Sequence, residues 1–540
     1  MEGDKERLGG EGMNGRAAIE NIINSKPELL GLLFARGYLL TNARTDFAEY
    51  PFYGRWKEIR VGSYSIAASE LTNIFVNESE HETVILIGHA YNPFDGEYRE
   101  DELLKKYSNF GTEKERIAYF NQWTGIFTLI IIKDSEIIVY GDCAGMQPAY
   151  YGAIGTSLYI SSHAQLIGDI CGLIESEYVA DMKKYRYWGM YGLFIAGDRS
   201  QFDDVFRLVP NTFIRYGTDT HEFRVTRFYP ETDIANVQDE REYSETINEI
   251  AGLMHENMRL ISLKWKRPYI SMTGGMDSKT TVACTNGLYD KFGYYSYISM
   301  HGDRPDAEAA EKIAAAIGVT HKTYLVSEND GDFINAAEVK TILEHNFGNI
   351  GEIKGNDVKK CCYFLNNDDF DVEVKSWVSE IGRANYYKKF GMKNMPKRLS
   401  PRQMTTMYKF FAYNRRQACR TDEIFKEYIE KTAFQSIYNL DASDMYRWEF
   451  RYGAWGGLAV MSEHRVSHEL TIPYNNRRLI EMFLTLPLEK RIDDVPHYDV
   501  IKTANETIDS LGITVTNYNE TRLRMYCEKV YYLINTILPY

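Results

Sequence analysis

The run Tyr269-Ile270-Ser271-Met272-Thr273-Gly274-Gly275-Met276-Asp277-Ser278-Lys279 admits few folds. A short apolar stretch passes through two glycines into an acidic and a hydroxyl residue that open a helix. Glycines without a Cβ let the backbone close on phosphate oxygens, and the following helix start offers unpaired N–H groups and partial positive charge. Asp277 can hold Mg²⁺ against the same phosphates, and Thr273 and Ser278 carry donor hydroxyls. A Walker-type loop is excluded, because Ser278 stands where that loop needs glycine before Lys-Thr. The competing reading is a plain strand–turn–helix, since Gly-Gly turns are common.

Downstream residues repeat the alternation. Lys279 to Leu288 reads as a helix, Tyr294 to Met300 as a strand, Asp306 to Ile317 as an alanine-rich helix stopped by Gly318, and His321 to Val326 as a third strand. Such alternation predicts βαβ units and a parallel sheet, with ligands beyond the carboxyl ends of the strands. The glycine turn, His301 and Trp377-Val378-Ser379-Glu380 fall at such ends; His301 reads more simply as a core histidine. Upstream, Ile247, Ile250, Met254, Met258 and Ile261 mark one face of a helix. Roughly the first 230 residues are strand-rich, with runs at Thr83–Ile87, Ile126–Ile132 and Glu136–Tyr140 and a hairpin turn at Lys133–Ser135. From Leu399 onward the pattern is mostly helical, including Arg447 to Ser462 and Asn476 to Leu486. The expected fold class is α/β: a β-rich α+β domain over residues 1–235, then a doubly wound parallel-sheet domain over residues 236–540 with a helical C-terminal part.

Charge excludes some partners. With 62 basic against 76 acidic residues the net charge is −14, which disfavours nonspecific nucleic-acid binding. No apolar stretch reaches the roughly 18 residues of a membrane span, and Met1 to Arg7 lacks a hydrophobic signal core. A cytoplasmic location without membrane contact is expected. The seven cysteines are odd in number and include no Cys-x-x-Cys, which argues against a disulfide framework or a zinc site.

Thr273-Gly274-Gly275-Met276-Asp277-Ser278 is similar to the Ser-Gly-Gly-x-Asp-Ser signature of PP-loop ATP pyrophosphatases. Within that group the chain resembles the asparagine synthetase family. Asp306-Ala307-Glu308-Ala309-Ala310 through Gly318 and His321 resembles the family's second helix and following strand. Ser462-Glu463-His464-Arg465 through Pro473-Tyr474-Asn475 and Leu486-Pro487 resembles its late helical block. Trp123–Phe127 and Asp142–Tyr151 look like the end of its Ntn-type glutaminase domain. The resemblance implies an Ntn-hydrolase-like first domain and a PP-loop synthetase second domain. ATP and Mg²⁺ are the implied cofactors, held by Met272, Thr273, Gly274, Gly275, Asp277, Ser278, Ile298, Ser379 and Arg383. Met272 and Ile298 would meet adenine through backbone groups, and Asp277 would be the metal ligand. Glu380 falls on the family's acid and is the implied base or proton relay; a helix-start carboxylate in a salt bridge is the alternative. Lys502 is the implied lysine that stabilises the transition states, against the commoner reading of a solvated surface charge. Tyr386 and Tyr387 either line an acceptor pocket or simply pack.

Two departures shape the expected function. Glutaminases of this type need a cysteine directly after the initiator Met; position 2 here is Glu2, and no Ser, Thr or Cys precedes Ser25. A carboxylate cannot replace that thiolate, so glutamine hydrolysis is not expected. Arg383 stands where the family has a second Mg²⁺-binding Asp; a guanidinium cannot ligate Mg²⁺ but binds phosphate directly. The function implied is an AMP-forming ligase joining a carboxylate to an amine in peptide or natural-product biosynthesis, as in lasso-peptide cyclases. A precursor peptide or a biosynthetic partner protein accompanies that reading. β-Lactam synthetases are disfavoured because they carry Tyr where Glu380 stands. A degenerate nucleotide-binding scaffold and an amidotransferase using free ammonia stand as alternatives. A PP-loop tRNA-modifying enzyme is opposed by the acidic charge balance and the lack of paired cysteines.

Overall fold

The computed structural model describes residues 11–43, 56–185, 188–391, 395–408, 415–513 and 522–537. Glu2 lies outside the described residues. In the first half, two six-stranded antiparallel sheets form. One runs β10 (Phe206–Arg207), β8 (Tyr150–Ile154), β9 (Ser157–Ser161), β1 (Tyr38–Thr41), β3 (Tyr64–Ser69), β2 (Trp56–Val61). The other runs β12 (Phe223–Arg227), β11 (Thr212–Gly217), β7 (Glu136–Gly141), β6 (Thr124–Ile132), β5 (Thr83–Tyr91), β4 (Ile74–Glu78). Side chains alternate between faces along a strand, and in β5 and β6 both faces are buried. Ile85, Ile87, Ile130 and Ile132 enter a core shared with Tyr38, Leu40, Ile66 and Ile160 of the facing sheet. Val84, Leu86, Leu129 and Ile131 point the other way, toward Leu103, Leu104 and Tyr107 of α1 (Glu100–Asn109). Helix α2 (Ala164–Cys171) covers the outer face of the first sheet. Burial on both faces is why these strands read as continuous apolar runs.

After the long helix α3 (Glu240–Lys264), a five-stranded sheet forms in the order β15 (His321–Leu325), β14 (Gly293–Ile298), β13 (Pro268–Ser271), β16 (Val372–Val374), β17 (Leu470–Thr471). Every pairing in it is parallel. Successive strands step outward from β13 to β15, then the chain crosses to the other side of β13 for β16. The order therefore reverses between β13 and β16. Helices cover both faces. Ala310, Ile313 and Ala314 of α5 (Arg304–Ala316) join the Tyr294 side, and Phe364 of α6 (Gly355–Phe364) lies edge-on to Tyr295. Gly318, at φ +72°, supplies the left-handed residue that ends α5.

Two elements differ from expectation. The helix after the glycine turn, α4 (Met276–Ala283), starts immediately at its Gly275 cap, because the turn is only as long as the glycines. The late block is not helical throughout: Leu470–Thr471 enters the parallel sheet as β17, and Arg447–Gly456 is π-helical.

The two halves interlock through buried polar contacts. Asp142 accepts N–H bonds from Phe127, Ala144, Met146 and Gln147 at 2.7–3.3 Å, and a fifth from Asn475 Nδ2 at 2.9 Å. Asn475 also donates to the Gly125 carbonyl, and Asn476 to that of Gln122. Trp448 Nε1 donates to the Cys143 carbonyl at 2.8 Å, and Arg227 forms a two-pronged pair with Glu449 at 2.6 and 2.8 Å. At the closest approach, a Cβ on Gly457 would lie 2.1 Å from the Gly145 carbonyl oxygen. Gly457→Ala is therefore expected to cost about 1–3 kcal/mol by overpacking, read as a lower urea midpoint. Gly355→Ala, in a helix where a Cβ meets open space, should not lower the midpoint and is expected to raise it slightly.

Candidate active site

An open cleft of about 320 Å³ lies at the carboxyl ends of β13 and β16. That is the place where an open α/β sheet of this topology holds ligands, and the size suits a nucleotide-scale molecule. Met272, Thr273, Gly275, Asp277 and Ser278 line one side, Lys375, Ser376, Trp377 and Glu380 the other, with Asp303 and Asp306 at the start of α5.

The turn is held by its own donors. The Thr273 N–H donates to Ser278 Oγ at 3.0 Å, the Gly275 N–H to Thr273 Oγ1 at 3.2 Å, and the Gly274 N–H to Asp306 Oδ1 at 2.9 Å. The Asp306 carboxylate thus occupies an anion position on the loop, and burial raises its pKa above the usual range. The first helical bond of α4 runs from Lys279 N–H to the Gly275 carbonyl, which leaves the N–H groups of Met276, Asp277 and Ser278 outside the helical ladder. Met272 is buried; its N–H donates to the Tyr295 carbonyl and its carbonyl accepts from Ser296 Oγ, both at 2.7 Å. The Ile298 carbonyl accepts from Val326 N–H. These backbone groups serve the sheet.

Asp277 is the hub of an ionic network. Its carboxylate accepts from Ser379 Oγ at 2.5 Å and from Arg383 Nη1 at 2.9 Å. The remaining edge of that guanidinium grips Asp494 through Nε at 2.8 Å and Nη2 at 3.0 Å, and Lys388 also pairs with Asp494. Burial alone would lower Arg383, but the bonds and charges of Asp494 and Asp277 outweigh it and raise the guanidinium above its usual value. Burial alone would raise Asp494, but Arg383 and Lys388 hold it below the usual carboxylate range. The short 3₁₀ turn Ser379–Arg383 sits between two left-handed residues, Val378 at φ +64° and Ala384 at φ +46°. Such conformations cost about 1–3 kcal/mol each for residues with a Cβ, so the surrounding contacts impose this turn.

Glu380 faces the same cleft and accepts a hydrogen bond from the Tyr452 hydroxyl. Burial, and then the Glu380 charge, hold the Tyr452 phenol far above its ordinary value, so it remains a donor.

A second compartment adjoins the cleft across Tyr297, Glu373 and Lys375, which line both. In it Lys360 pairs with Asp357 at 2.6 Å, and His468 and Lys375 contact Glu373 at 2.9 and 3.4 Å. Burial, with Asp357 adding to it, pushes Glu463 up to about 8.

The structure brings Thr273, Gly274, Gly275, Asp277, Ser278, Ser379, Glu380 and Arg383 to one place. It does not bring Lys502 there. Lys502 is exposed on α7 (Val495–Ala504), eight residues beyond Asp494, or about 12 Å at 1.5 Å per residue. His301 is exposed rather than in the core. Tyr386 and Tyr387 are buried, and Tyr387 donates to Asp441. Sequence reading missed Tyr452, Lys388, Asp494 and Asp306; only Asp306, at a helix start after β14, carried a local signal. The donor set fits Mg²⁺ carried in with phosphates. Asp277 offers hard carboxylate oxygens of the kind Mg²⁺ takes, at present bonded to Ser379 and Arg383; no group of three or more His, Cys, Asp or Glu forms among the described residues.

No family model and no curated protein matches the chain. Solved structures that align with it include the allosteric regulatory enzyme of purine biosynthesis (12% identity, TM-score 0.24, 54% of this chain and 61% of that one). Others are glutamine phosphoribosylpyrophosphate amidotransferase from B. subtilis complexed with ADP and GMP (11%, 0.19, 53% and 59%) and glutamine-dependent NAD⁺ synthetase from Acinetobacter baumannii in complex with ADP (11%, 0.19, 43% and 49%). The chain spans less than two thirds of each, and TM-scores this low license no transfer of fold or chemistry.

Two outcomes follow from the ionic groups. Arg383→Met leaves Asp277 and Asp494 without their shared cation and should lower stability by about 3 kcal/mol in chemical denaturation. For Glu463 the folded value near 8 exceeds the ordinary 4.5, so its contribution is complete below pH 4.5 and lost as pH rises through 8. Glu463→Gln should match the parent near about pH 4.5 and exceed it by about 2 kcal/mol at about pH 9, allowing for partial solvent contact. Equal urea midpoints at both pH values would refute this.

Proposed function

We propose that the chain is an ATP- and Mg²⁺-dependent ligase that adenylates a carboxylate and passes the acyl group to an amine. The observation that carries this reading is the convergence of the glycine turn, Asp277 and Glu380 on one cleft, where the strand order of a parallel sheet reverses. A substrate carboxylate oxygen attacks the α-phosphorus of ATP, the bond to the α–β bridging oxygen breaks, and pyrophosphate leaves. In this reading the N–H groups that open α4, with the Thr273 hydroxyl and, once released from the Ser271 carbonyl, that of Ser278, receive that leaving charge. Magnesium bound at Asp277 would neutralise pyrophosphate charge in an otherwise acidic cleft. Arg383 can keep Asp494 through Nε and Nη2 while Nη1 passes from Asp277 to a phosphate oxygen. The amine nitrogen then attacks the acyl carbon, its proton goes to Glu380, and AMP departs. Tyr452 orients Glu380 through their hydrogen bond. Lys375, on the cleft wall, is a better placed cation than Lys502.

In this reading the first half supplies no ammonia, and the amine is a substrate group, on a peptide or a natural-product precursor, or free ammonia. One observation favours a second reading, a nucleotide-binding scaffold: Arg383 already occupies the Asp277 carboxylate.

With hydroxylamine as a stand-in amine and a panel of carboxylic and peptide acids, the purified protein should form hydroxamate together with AMP and pyrophosphate. Asp277→Asn should reduce this by about 100-fold or more. ADP as the product would sink the ligase reading, and ATP binding without AMP formation across the panel would support the scaffold. Incubation with glutamine should release no glutamate; its release would overturn the assignment of the first half as inactive.

A further inference from the structure

We propose that Arg447 is a substrate-binding residue that grips a carboxylate of the acid substrate beside Glu380. The inference rests on the ligase reading and narrows its substrate. Arg447 opens the π-helical segment Arg447–Gly456, which also carries Arg451 and Tyr452. π-Helical turns are rare and gather at functional sites. The Arg447 guanidinium lies over the Tyr452 ring, 5.3 Å from its centroid, and the hydroxyl of that ring is bonded to Glu380. Arg447 Nε is buried without a hydrogen-bond partner, and among the described residues no carboxylate pairs with this guanidinium within the 4.0 Å of an ion pair. Buried polar groups almost always have partners, and a guanidinium fork is shaped to hold a carboxylate by two parallel bonds.

The surroundings concentrate positive charge at the same spot. Arg451, one turn further, lies 4.9 Å from the Phe194 ring centroid and 4.6 Å from that of Trp455. Trp455 in turn stacks on Trp377 of the cleft wall at 5.5 Å. The two guanidinium charges repel each other and both act on buried Tyr386. Glu380 acts on Arg447 through space, and the Tyr452 phenol oxygen also accepts from the guanidinium, which leaves Nε as the unpartnered nitrogen. A carboxylate arriving at Arg447 would fill the open Nε donor. A bland alternative is that Arg447 merely balances the charge of Glu380, in which case no carboxylate would bind there.

The test uses the full chain, its tryptophan fluorescence, and titration with sodium succinate or sodium butyrate at constant ionic strength against sodium chloride. The Trp377–Trp455 stack beside Arg451 is the reporter. A saturable change with carboxylate and none with chloride is expected, weakened about ten-fold in Arg447→Gln, the equivalent of one charge-assisted bond. Arg447→Lys keeps the charge without the fork and should fall between. Tighter binding of succinate than butyrate assigns the contact to a second carboxylate of a diacid; equal binding assigns it to the carboxylate being activated. No saturation in the parent, or unchanged affinity in either variant, overturns the proposal. The hydroxamate and AMP assay run in parallel separates the two failures. Carboxylate binding without AMP formation would sink the ligase reading, whereas AMP formation with a silent Arg447 would sink only this inference.

Discussion

A single guanidinium joins three segments that are far apart in the chain. Arg383 reaches back to Asp277 at the start of α4 and forward to Asp494 at the entry of α7. Arginine is suited to this because its planar fork can serve two carboxylates in fixed directions, which the single point charge of lysine cannot. Each carboxylate would be costly to leave partly buried and unpaired. The pairing fixes where the loop after β16 stands relative to the glycine turn, and with it the position of Glu380. Three backbone positions in the left-handed region, Val378, Ala384 and Asp494, are tolerated around this fork. At these three positions the network over-determines the chain and so holds the strained backbone.

Electrostatically the cleft is acidic. Asp277, Asp303, Asp306, Glu373 and Glu380 all border it, with Lys375 beside Glu380 on one wall. A polyphosphate entering alone would meet carboxylates of like sign. Asp306 already sits on the Gly274 N–H, so incoming phosphate must compete with an internal acid for that donor. The adjoining compartment differs: its lysines are paired with Asp357 and Glu373, while Glu463 is pressed toward its neutral form. Two chambers with different charge habits share one wall.

Much of this was legible in the sequence where the signal is local. The two glycines, the acid and the hydroxyl after a strand located the turn, and the alternation from Pro268 to Val326 gave the parallel sheet. The apolar runs of β5 and β6 read as strands because both faces are buried. What escaped depended on contacts between distant residues. Nothing near Tyr452 or Asp494 marks them as neighbours of Glu380 and Asp277, since only the packed fold makes them so. The family resemblance points to Lys502, which α7 leaves exposed, while the cation bonded to Asp277 is Arg383, from the turn after β16. The two-residue strand β17 is too short for any periodicity to show, and its partner β16 lies about a hundred residues earlier, beyond the reach of local pattern reading.

The contacts that seat Asn475 and Asn476 against β6 also bear on how the chain is made. During synthesis the first half leaves the ribosome complete in strands well before those amides exist. At the usual elongation rates, the roughly 240 residues separating position 235 from Asn475 take on the order of tens of seconds to arrive. Through that interval Asp142 has its four backbone donors but not its fifth, and the surface at Gly145 that later receives Gly457 stays uncovered. A first half that folded as it emerged would therefore carry one side uncovered until Asn475 and Gly457 arrived.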